Sequence, residues 1–296
     1  MEIMTLDITP CAAGEGPVWD VQEQALYFID MAAKHVLRYD YRSKETKRWD
    51  APLGPASLAV RERGGVIVAL ENTVNALDCN SGTWSLFTDM ADMSPEIRFN
   101  DGKVDRRGRF CVGTSDRKWA EQSAERYRLE AGLYTLGAKR TYSAELNKVF
   151  CTTNGPCWSP DNRTFYISDS MRDLIYAYDY DIQTGKVRDQ RLFATTGELG
   201  GVPDGATVDA DGRMWVAMYS GGKLVCFKPN GSVERIIPMP VINPSSVSFG
   251  GPDLDELFVT SINPSAFGQP AEQDGGRVFK ITGLGARGIP ESRYIG

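Results

Sequence analysis

Four short segments of the chain carry an oxygen-bearing side chain next to glycine or proline. These side chains belong to Glu15, Asn100, Asn154 and Asp204, in the sequences GEGPVW, RFNDG, TNGP and VPDG. Carboxylate and amide oxygens are the ligands that hard cations such as Ca²⁺, Mg²⁺ and Mn²⁺ prefer. A cation held by such oxygens polarises a carbonyl or phosphoryl oxygen and lowers the pKa of bound water. The four residues are therefore candidates for a metal site with Lewis-acid chemistry.

Each segment, taken alone, also has an ordinary interpretation as a turn. Asn-Gly, Asp-Gly and Gly-Pro are common turn sequences, and one of them by itself indicates nothing more. Their shared position makes them informative, because each key residue lies ten or eleven residues before the start of an apolar, strand-like run. The corresponding residues before two further runs are Ala56 and Ser246, whose small side chains would leave room for a substrate beside the metal.

Histidine and cysteine chemistry is largely excluded by the composition. The chain has one histidine, His35, so a zinc site with two or three histidines is impossible. A Ser-His-Asp triad would have to use His35, and no GxSxG nucleophile motif accompanies it. We expect His35 to be a surface or strand-edge residue. The 6 cysteines form no CxxC pair, and we expect them to be reduced and mostly buried.

The overall composition is that of a folded globular protein. The 296 residues are 42% hydrophobic and 24% charged, and the chain is long enough to bury a sizeable core. A net charge of -6 argues against nucleic acid or an anionic membrane as the main partner. No apolar run approaches the roughly 18 residues of a membrane span. The first seven residues lack the basic start and apolar core of a signal peptide, so we expect a cytoplasmic location.

The elements that must position the four oxygen-bearing residues read as repeated antiparallel strands. Apolar runs preceded by Gly, Asp or Asn are typical of β-hairpins. Six such runs begin at the landmark residues Leu26, Val66, Phe110, Phe165, Met214 and Leu257. Successive landmarks are separated by 40, 44, 55, 49 and 43 residues. This interval is about the length of one four-stranded blade of a propeller.

Six such units predict an all-β fold, namely a six-bladed β-propeller with four-stranded antiparallel blades. A large β-sandwich has similar local strand spacing, but the sixfold recurrence favours the propeller. No Pro- or Ser-rich linker divides the chain, so we expect a single domain over residues 1–296; the best helix candidate, 119–129, is short and polar. Equivalent positions in a propeller lie at equal height around one axis, so the four oxygen-bearing side chains should converge at one mouth of the channel.

The four segments, in their order along the chain, resemble the motifs of the senescence marker protein/gluconolactonase/luciferin-regenerating enzyme family. The resemblance covers essentially the whole chain. It implies a six-bladed propeller with one divalent metal in the channel, and it leaves Ca²⁺, Mg²⁺, Mn²⁺, Zn²⁺ and iron open. By similarity, Glu15, Asn154 and Asp204 would ligate the metal. Asn100 would hold a metal-bound water or the substrate, and Asp204 would also be the general base.

The resemblance also implies contacts to a substrate. Arg98 matches a family position that contacts the sugar, and Tyr219 is a candidate for the pocket wall, with core packing equally compatible. The sequence departs from the regucalcin-like pattern at SDRKW, residues 115–119, where such members carry acidic residues that contact sugar hydroxyls. Arg117 and Lys118 stand there instead. Together with Arg98 they would suit an anionic group on the substrate, whereas as solvated loop charges they would have no such role.

Three functions are compatible with these residues. The first, implied by the family, is the hydrolysis of a sugar lactone, an aldonolactone with or without an anionic group, to the open-chain acid. In it the metal polarises the lactone carbonyl, Asp204 takes a proton from the attacking water, and Asn100 and Arg98 orient the substrate. The second is a phosphotriesterase on the same metal site. The third is a non-catalytic calcium-binding propeller. The oligomeric state stays open.

Overall fold

The computed structural model describes residues 1–90, 92–118 and 127–296, which form six four-stranded antiparallel sheets. The predicted six-bladed β-propeller is therefore confirmed. Within the described residues, helical structure is limited to three 3₁₀ turns, at Ser170–Arg172, Gly197–Leu199 and Pro264–Phe267. Most of the helix candidate at 119–129 lies outside the described residues. No helix of the described part is long and apolar enough to cross a membrane.

The strands are numbered along the chain, and each blade is given from the channel outwards. Blades 1 and 2 contain β2 (Gly14–Asp20), β3 (Ala25–Asp30), β4 (His35–Asp40), β5 (Thr46–Asp50), and β6 (Pro55–Val60), β7 (Val66–Leu70), β8 (Thr73–Leu77), β9 (Trp84–Asp89). Blades 3 and 4 contain β10 (Ile97–Val104), β11 (Phe110–Asp116), β12 (Ala131–Leu136), β13 (Tyr142–Phe150), and β14 (Thr153–Trp158), β15 (Thr164–Asp169), β16 (Leu174–Asp181), β17 (Lys186–Thr195). Blades 5 and 6 contain β18 (Val202–Val208), β19 (Met214–Tyr219), β20 (Lys223–Phe227), β21 (Val233–Pro238), and β22 (Pro244–Gly250), β23 (Glu256–Ser261), β24 (Phe279–Thr282), β1 (Glu2–Thr5).

The innermost strands form the wall of the channel. β2, β6, β10, β14, β18 and β22 contact one another in sequence, and β22 returns to contact β2. The six landmarks of the sequence all lie on the second strand of their blade, at its first or second residue, and all are completely buried. These second strands are apolar on both faces because each blade packs between two neighbours. The outermost strands, such as β5, are mostly exposed.

The ring is closed by the N-terminal strand. β1 completes blade 6 by pairing with β24, which places Ile3 opposite Ile281. The other neighbour of Ile281 is Leu257 on β23, so this side chain connects the closing strand to the interior of the blade. Closure of this kind leaves no gap in the ring of sheets. That residues 1–296 form a single domain stays a prediction.

Aromatic side chains fill the seams between blades. The rings of Trp19 in blade 1 and Phe258 in blade 6 stack with centroids 5.3 Å apart. Trp215 in blade 5 meets Phe249 in blade 6 edge-on at 5.8 Å. Such pairs add to the hydrophobic stabilisation of large buried rings. His35 begins β4 with its Nε2 3.3 Å from the Asp50 carboxylate, in keeping with a strand-edge role.

The C-terminal segment, residues 288–296, crosses the channel mouth at which the innermost strands end, here called the far mouth. The Tyr294 amide donates to the Val60 carbonyl at the end of β6, and its side chain is fully buried. Arg293 forms an ion pair with Asp20 at the end of β2. Glu291 lies 3.3 Å from Lys103 on β10. The tail therefore ties blades 1, 2 and 3 together across this end of the channel.

Truncation of the buried side chain at the closure should destabilise the ring. We expect Ile281→Ala to lower the free energy of unfolding by about 2–4 kcal/mol, because it removes buried methyl groups and leaves a cavity. Leu86→Ala is the control, since Leu86 lies 57% exposed on outermost strand β9, and it should change stability by no more than about 0.5 kcal/mol. Urea unfolding measures both. Equal losses for the two variants would contradict the importance of this closure.

Candidate metal and substrate site

Each innermost strand carries a one-residue bulge near the mouth at which it begins, here called the near mouth. In β10 and β18 the irregular stretches contain Asn100 and Asp204. In β2 and β14 the irregularity directly follows Glu15 and Asn154. A bulge interrupts the regular alternation of a strand and re-aims its side chains. The turn-like sequences GEGP, NDG, TNGP and PDG are thus bulges inside strands.

Gly155 shows why glycine belongs at one of these bulges. Its φ of 60° is in the left-handed region, which is strained for other residues. A Cβ at this position would lie 2.7 Å from the Cβ of Ala206 and 2.9 Å from the carbonyl oxygen of Asp204. Any side chain would therefore push β18 away from β14, and with it the Asp204 backbone.

The four oxygen-bearing side chains line one cavity at the near mouth. Glu15, Asn100, Asn154 and Asp204 all border it, which agrees with the convergence expected from the sequence. Ala56 also borders it. Ser246 is not among the lining residues. It packs instead on Gly205, whose hypothetical Cβ would lie 1.9 Å from the Ser246 Oγ. The connection from β22 to β23 is longer than its counterparts, since Phe249 pairs with Leu257, so the spacing points one residue past the bulge, which lies between Pro244 and Ser246.

A chain of hydrogen bonds orients the two amides. The Asn100 Nδ2 donates to the Thr153 carbonyl at 2.9 Å and to the Asn154 Oδ1 at 2.8 Å. The Asn154 Nδ2 donates to the Ser170 Oγ at 2.9 Å, and that hydroxyl donates to the Pro203 carbonyl at 2.6 Å. Because both Nδ2 groups are committed to protein acceptors, the amide oxygens are the atoms left to ligate a cation.

The carboxylates of Glu15 and Asp204 share a buried and electrostatically unfavourable environment. Burial raises the pKa of Glu15 well above its usual value, and the negative charges of Asp204 and Asp101 raise it further. Burial also raises the pKa of Asp204 well above its usual value, with Asp101 as the next cause. In the described part of the chain, no lysine or arginine forms an ion pair with either group. When the two carboxylates are ionised, their negative charges need a positive charge nearby to balance them.

Asp101 is a third carboxylate in the cavity wall, and it was not predicted. It accepts hydrogen bonds from the amides of Gly102 at 2.8 Å and Gly155 at 2.9 Å. Burial raises its pKa, and the Lys103 ammonium opposes that rise. Its place beside Asn100 in the RFNDG segment was the available signal. Ser170, which fixes the Asn154 amide, carried no distinguishing signal in the sequence.

The set of donors fits a divalent cation. Two carboxylates and two amides supply only oxygen atoms, the ligand type of Ca²⁺, Mg²⁺ and Mn²⁺. Among the described residues, no three His, Cys, Asp or Glu side chains are grouped so as to hold a metal. A metal site formed by Glu15, Asn100, Asn154 and Asp204 does not require three such side chains, because two of its four members are amides. The burial of Glu15 and Asp204 side by side, without a basic partner among the described residues, is the observation that supports the fit.

The three predicted cations are placed differently. Arg98 lines the cavity, and within the described residues it has no hydrogen bond or ion pair. Burial lowers its pKa, Glu71 opposes this, and Arg117 reinforces it. Arg117 lies outside the cavity wall, bonded to Glu71 at 2.9 Å and to the Ile97 carbonyl at 3.1 Å. Lys118 also lies outside the wall, and its Nζ is 3.6 Å from the Glu96 carboxylate.

Tyr219 borders the cavity at the end of β19. Burial raises its pKa, and the nearby negative charges of Asp204 and Glu15 raise it further. Its placement supports pocket lining over core packing. The structure thus brings Glu15, Arg98, Asn100, Asn154, Asp204 and Tyr219 together, and it leaves Arg117 and Lys118 paired with acids outside the cavity. A substrate role for these last two stays a prediction.

The fold and the cavity together define a six-bladed propeller with an oxygen-lined pocket at one mouth of its channel. The chain belongs to the family described as SMP-30/gluconolactonase/LRE-like, whose model matches residues 13–263. The family resemblance predicted from the sequence is therefore confirmed.

Similar proteins cover nearly the whole chain. Regucalcin of Xenopus laevis is 34% identical over 288 residues, which span 96% of this chain and 95% of that protein. The solved structure of a luciferin-regenerating enzyme is 27% identical, with a TM-score of 0.90 over 100% of this chain and 99% of the other. A regucalcin of Agrobacterium tumefaciens, described as a calcium-binding protein, shares the fold with 23% identity and a TM-score of 0.86 over 98% and 96% of the two chains.

The buried acids predict a pH-dependent stability of the metal-free protein. The ordinary pKa of Asp204 is 3.8 and that of the folded state is higher, so the unfolded chain loses its proton first. The stability contribution of this group is therefore present at low pH and is lost as pH rises. We expect Asp204→Asn to raise Tm at pH 7–8 by roughly 2–4 °C, and the gain should shrink towards pH 4. Calorimetry in chelator measures this.

Asp7→Asn serves as the control for this measurement, because Asp7 is exposed. It should leave Tm nearly unchanged at every pH. A fall in Tm for Asp204→Asn that is as large at pH 8 as at pH 4 would contradict the assignment of a raised pKa.

Proposed function

We propose that the protein is a metal-dependent lactonase that opens an aldonolactone to the sugar acid. The observation that carries the proposal is the convergence of Glu15, Asn100, Asn154 and Asp204 on one cavity, whose wall also holds Arg98, a side chain without an ion-pair partner in the part of the chain that the structure describes. Membership of a family whose description includes gluconolactonase supports the hydrolysis of a lactone in general. The general base, the metal and the particular lactone are our inference from the site.

A divalent cation would be held by Glu15, Asn154 and Asp204, with Asn100 beside it. When bound, it supplies Lewis-acid polarisation of the lactone carbonyl and balances the buried negative charge. Calcium is the first candidate, because the Agrobacterium relative is described as a calcium-binding protein. An all-oxygen site also accepts other divalent ions, so Mg²⁺, Mn²⁺, Zn²⁺ and Fe²⁺ belong in the same test.

The residues of the chain have separate tasks in this reaction. Asp204 accepts a proton from the attacking water, and the proton is passed to the ring oxygen as the lactone opens. Asn100, held by the Thr153 carbonyl and the Asn154 amide, orients the substrate in one position. Arg98 donates hydrogen bonds to substrate oxygens, and its unpaired guanidinium suits a carboxylate on the sugar. A preference for an acid-bearing lactone therefore rests on Arg98 more than on Arg117 or Lys118.

The alternatives receive less support. The comparisons do not favour a phosphotriesterase or a non-catalytic calcium-binding propeller, and no separate feature of the cavity requires either. The partner named by the proposal is a small-molecule lactone. The cytoplasmic location and the expectation of no nucleic-acid or membrane partner stay predictions from the composition.

Removal of the metal or of Asp204 should abolish turnover. We expect chelated protein to lose activity and to regain it when a divalent ion is added back. We expect Asp204→Ala to lower kcat at least about a hundredfold, because the base is lost. A pH-drop assay on gluconolactone, an acid-bearing sugar lactone and an organophosphate measures both effects. Full activity in chelator would overturn the lactonase mechanism, and turnover of the organophosphate alone would favour the phosphotriesterase.

Loss of the hydroxyl that orients Asn154 should weaken metal binding. We expect Ser170→Ala to reduce affinity about 10–100-fold, the usual effect of removing a group that orients a metal ligand. Ser168→Ala is a matched control, because Ser168 is fully buried close by and its Oγ has no hydrogen-bond partner. Calorimetric titration with Ca²⁺ and Mn²⁺ measures the affinities. Equal affinities for the two variants would contradict this role of Ser170.

A further inference from the structure

The wall of the cavity is chemically divided around the ring of blades. Blade 3 contributes Arg98 and Ser115. Blade 6 lies opposite blade 3, because two blades separate them in either direction around a ring of six. The lining residues of blade 6 are Ile262 and Phe267, both apolar. A molecule that spans the cavity from Arg98 therefore meets hydrocarbon on the far side.

The apolar sector extends to the neighbours of blade 6. Blade 5 adds Val202 and the ring of Tyr219, and blade 1 adds Met31, beside the carboxylates Asp204 and Glu15 of the same two blades. Met171 is a further apolar lining residue, from blade 4 and outside this sector. A sugar with hydroxyl groups on all sides would place several of them against these side chains without hydrogen-bond partners, which is costly. An apolar substituent on the sugar lactone, on the side of the cavity that faces blade 6, would avoid this cost.

Phe267 is held in place at the cavity although its side chain meets water. It is 45% exposed at the end of the turn Pro264–Phe267. The Asn263 Oδ1 accepts from the amide of Ser265 at 3.1 Å, and the Asn263 Nδ2 donates to the carbonyls of Glu272 and Gly275, both at 3.1 Å. These hydrogen bonds of Asn263 hold the start of the turn and tie it to the segment 272–275. An exposed aromatic ring presented by a fixed turn at a polar pocket is suited to contact a ligand.

We propose that the substrate is an aldonolactone that carries an alkyl or aryl substituent, which packs on Phe267 and Ile262 while an oxygen-rich or anionic group faces Arg98. The inference rests on the proposed lactonase function and names the substrate class of that same cavity. The lactone carbonyl then lies between the two sides, at the oxygen-bearing side chains of Glu15 and Asp204. The apolar sector sets which lactones bind, and it takes no part in the bond-breaking step.

The test compares two matched pairs of compounds. A γ-lactone with and without a phenyl substituent reports turnover, and the corresponding γ-lactams, which resist hydrolysis, report binding by calorimetry. We expect wild type to prefer the phenyl compound about tenfold in both kcat/KM and Kd. Phe267→Ala should remove most of this preference, and Phe267→Leu should restore part of it. Leu86→Ala, on an exposed outer strand remote from the cavity lining, should keep the full preference.

The outcomes separate this inference from the function on which it rests. Turnover of gluconolactone without any preference for the phenyl compounds overturns the apolar subsite and leaves the lactonase standing. A preference that survives in Phe267→Ala overturns the assignment to Phe267 and Ile262. Absence of turnover on every lactone with every metal overturns the lactonase, and the substrate inference with it. Tighter binding of the phenyl lactam that is lost only in Phe267→Ala supports the subsite directly.

Discussion

The burial of Glu15 and Asp204 beside the negative charge of Asp101 is the interaction on which the structure of the site depends. Carboxylates in such surroundings favour their protonated forms, or the capture of a cation. The propeller holds them there through contacts that owe nothing to the acids themselves, namely the strand ladders of blades 1 and 5 and the packed seams between blades. A bound cation would relieve the repulsion between the ionised acids, and the scaffold holds the acids in position for it.

The bulges direct side chains of the innermost strands into the cavity. A regular strand would alternate its side chains between the two faces of the blade, and none would be directed reliably at the axis. One extra residue near the start of each innermost strand changes this, and Gly155 shows how closely the adjoining backbones then approach. Hydrogen bonds from Asn100 to Asn154 and from Asn154 to Ser170 next fix which atom of each amide faces the pocket. The fold places each side chain at the cavity, and these hydrogen bonds determine whether the oxygen or the nitrogen of each amide faces the pocket.

The sequence was sufficient for the fold and for the convergence of the four oxygen-bearing residues on one cavity, but less so for the pocket wall, and the ligation of a metal by these residues stays a prediction. The landmarks found by spacing are all buried residues of second strands, because a strand packed between two blades must be apolar on both faces. The key oxygen-bearing residues were found because each precedes a landmark by a nearly constant interval. That interval fails by one residue at Ser246, because the connection from β22 to β23 is longer: Phe249 pairs with Leu257 eight residues on, whereas Trp19 pairs with Leu26 seven residues on. Arg117 and Lys118 looked like pocket cations, but the acids that pair with them, Glu71 and Glu96, lie too far away in sequence to be anticipated.

The C-terminal segment across the far mouth has a consequence for the way in which small molecules reach and leave the cavity. Tyr294 and Glu291, tied to β6 and β10, occupy the end of the channel away from the pocket. In the described part of the chain, the tail covers part of that end, and the cavity with the oxygen-bearing side chains lies at the other mouth. A reactant that enters by the near mouth would leave as product by the same mouth, so each product must depart before the next reactant can bind.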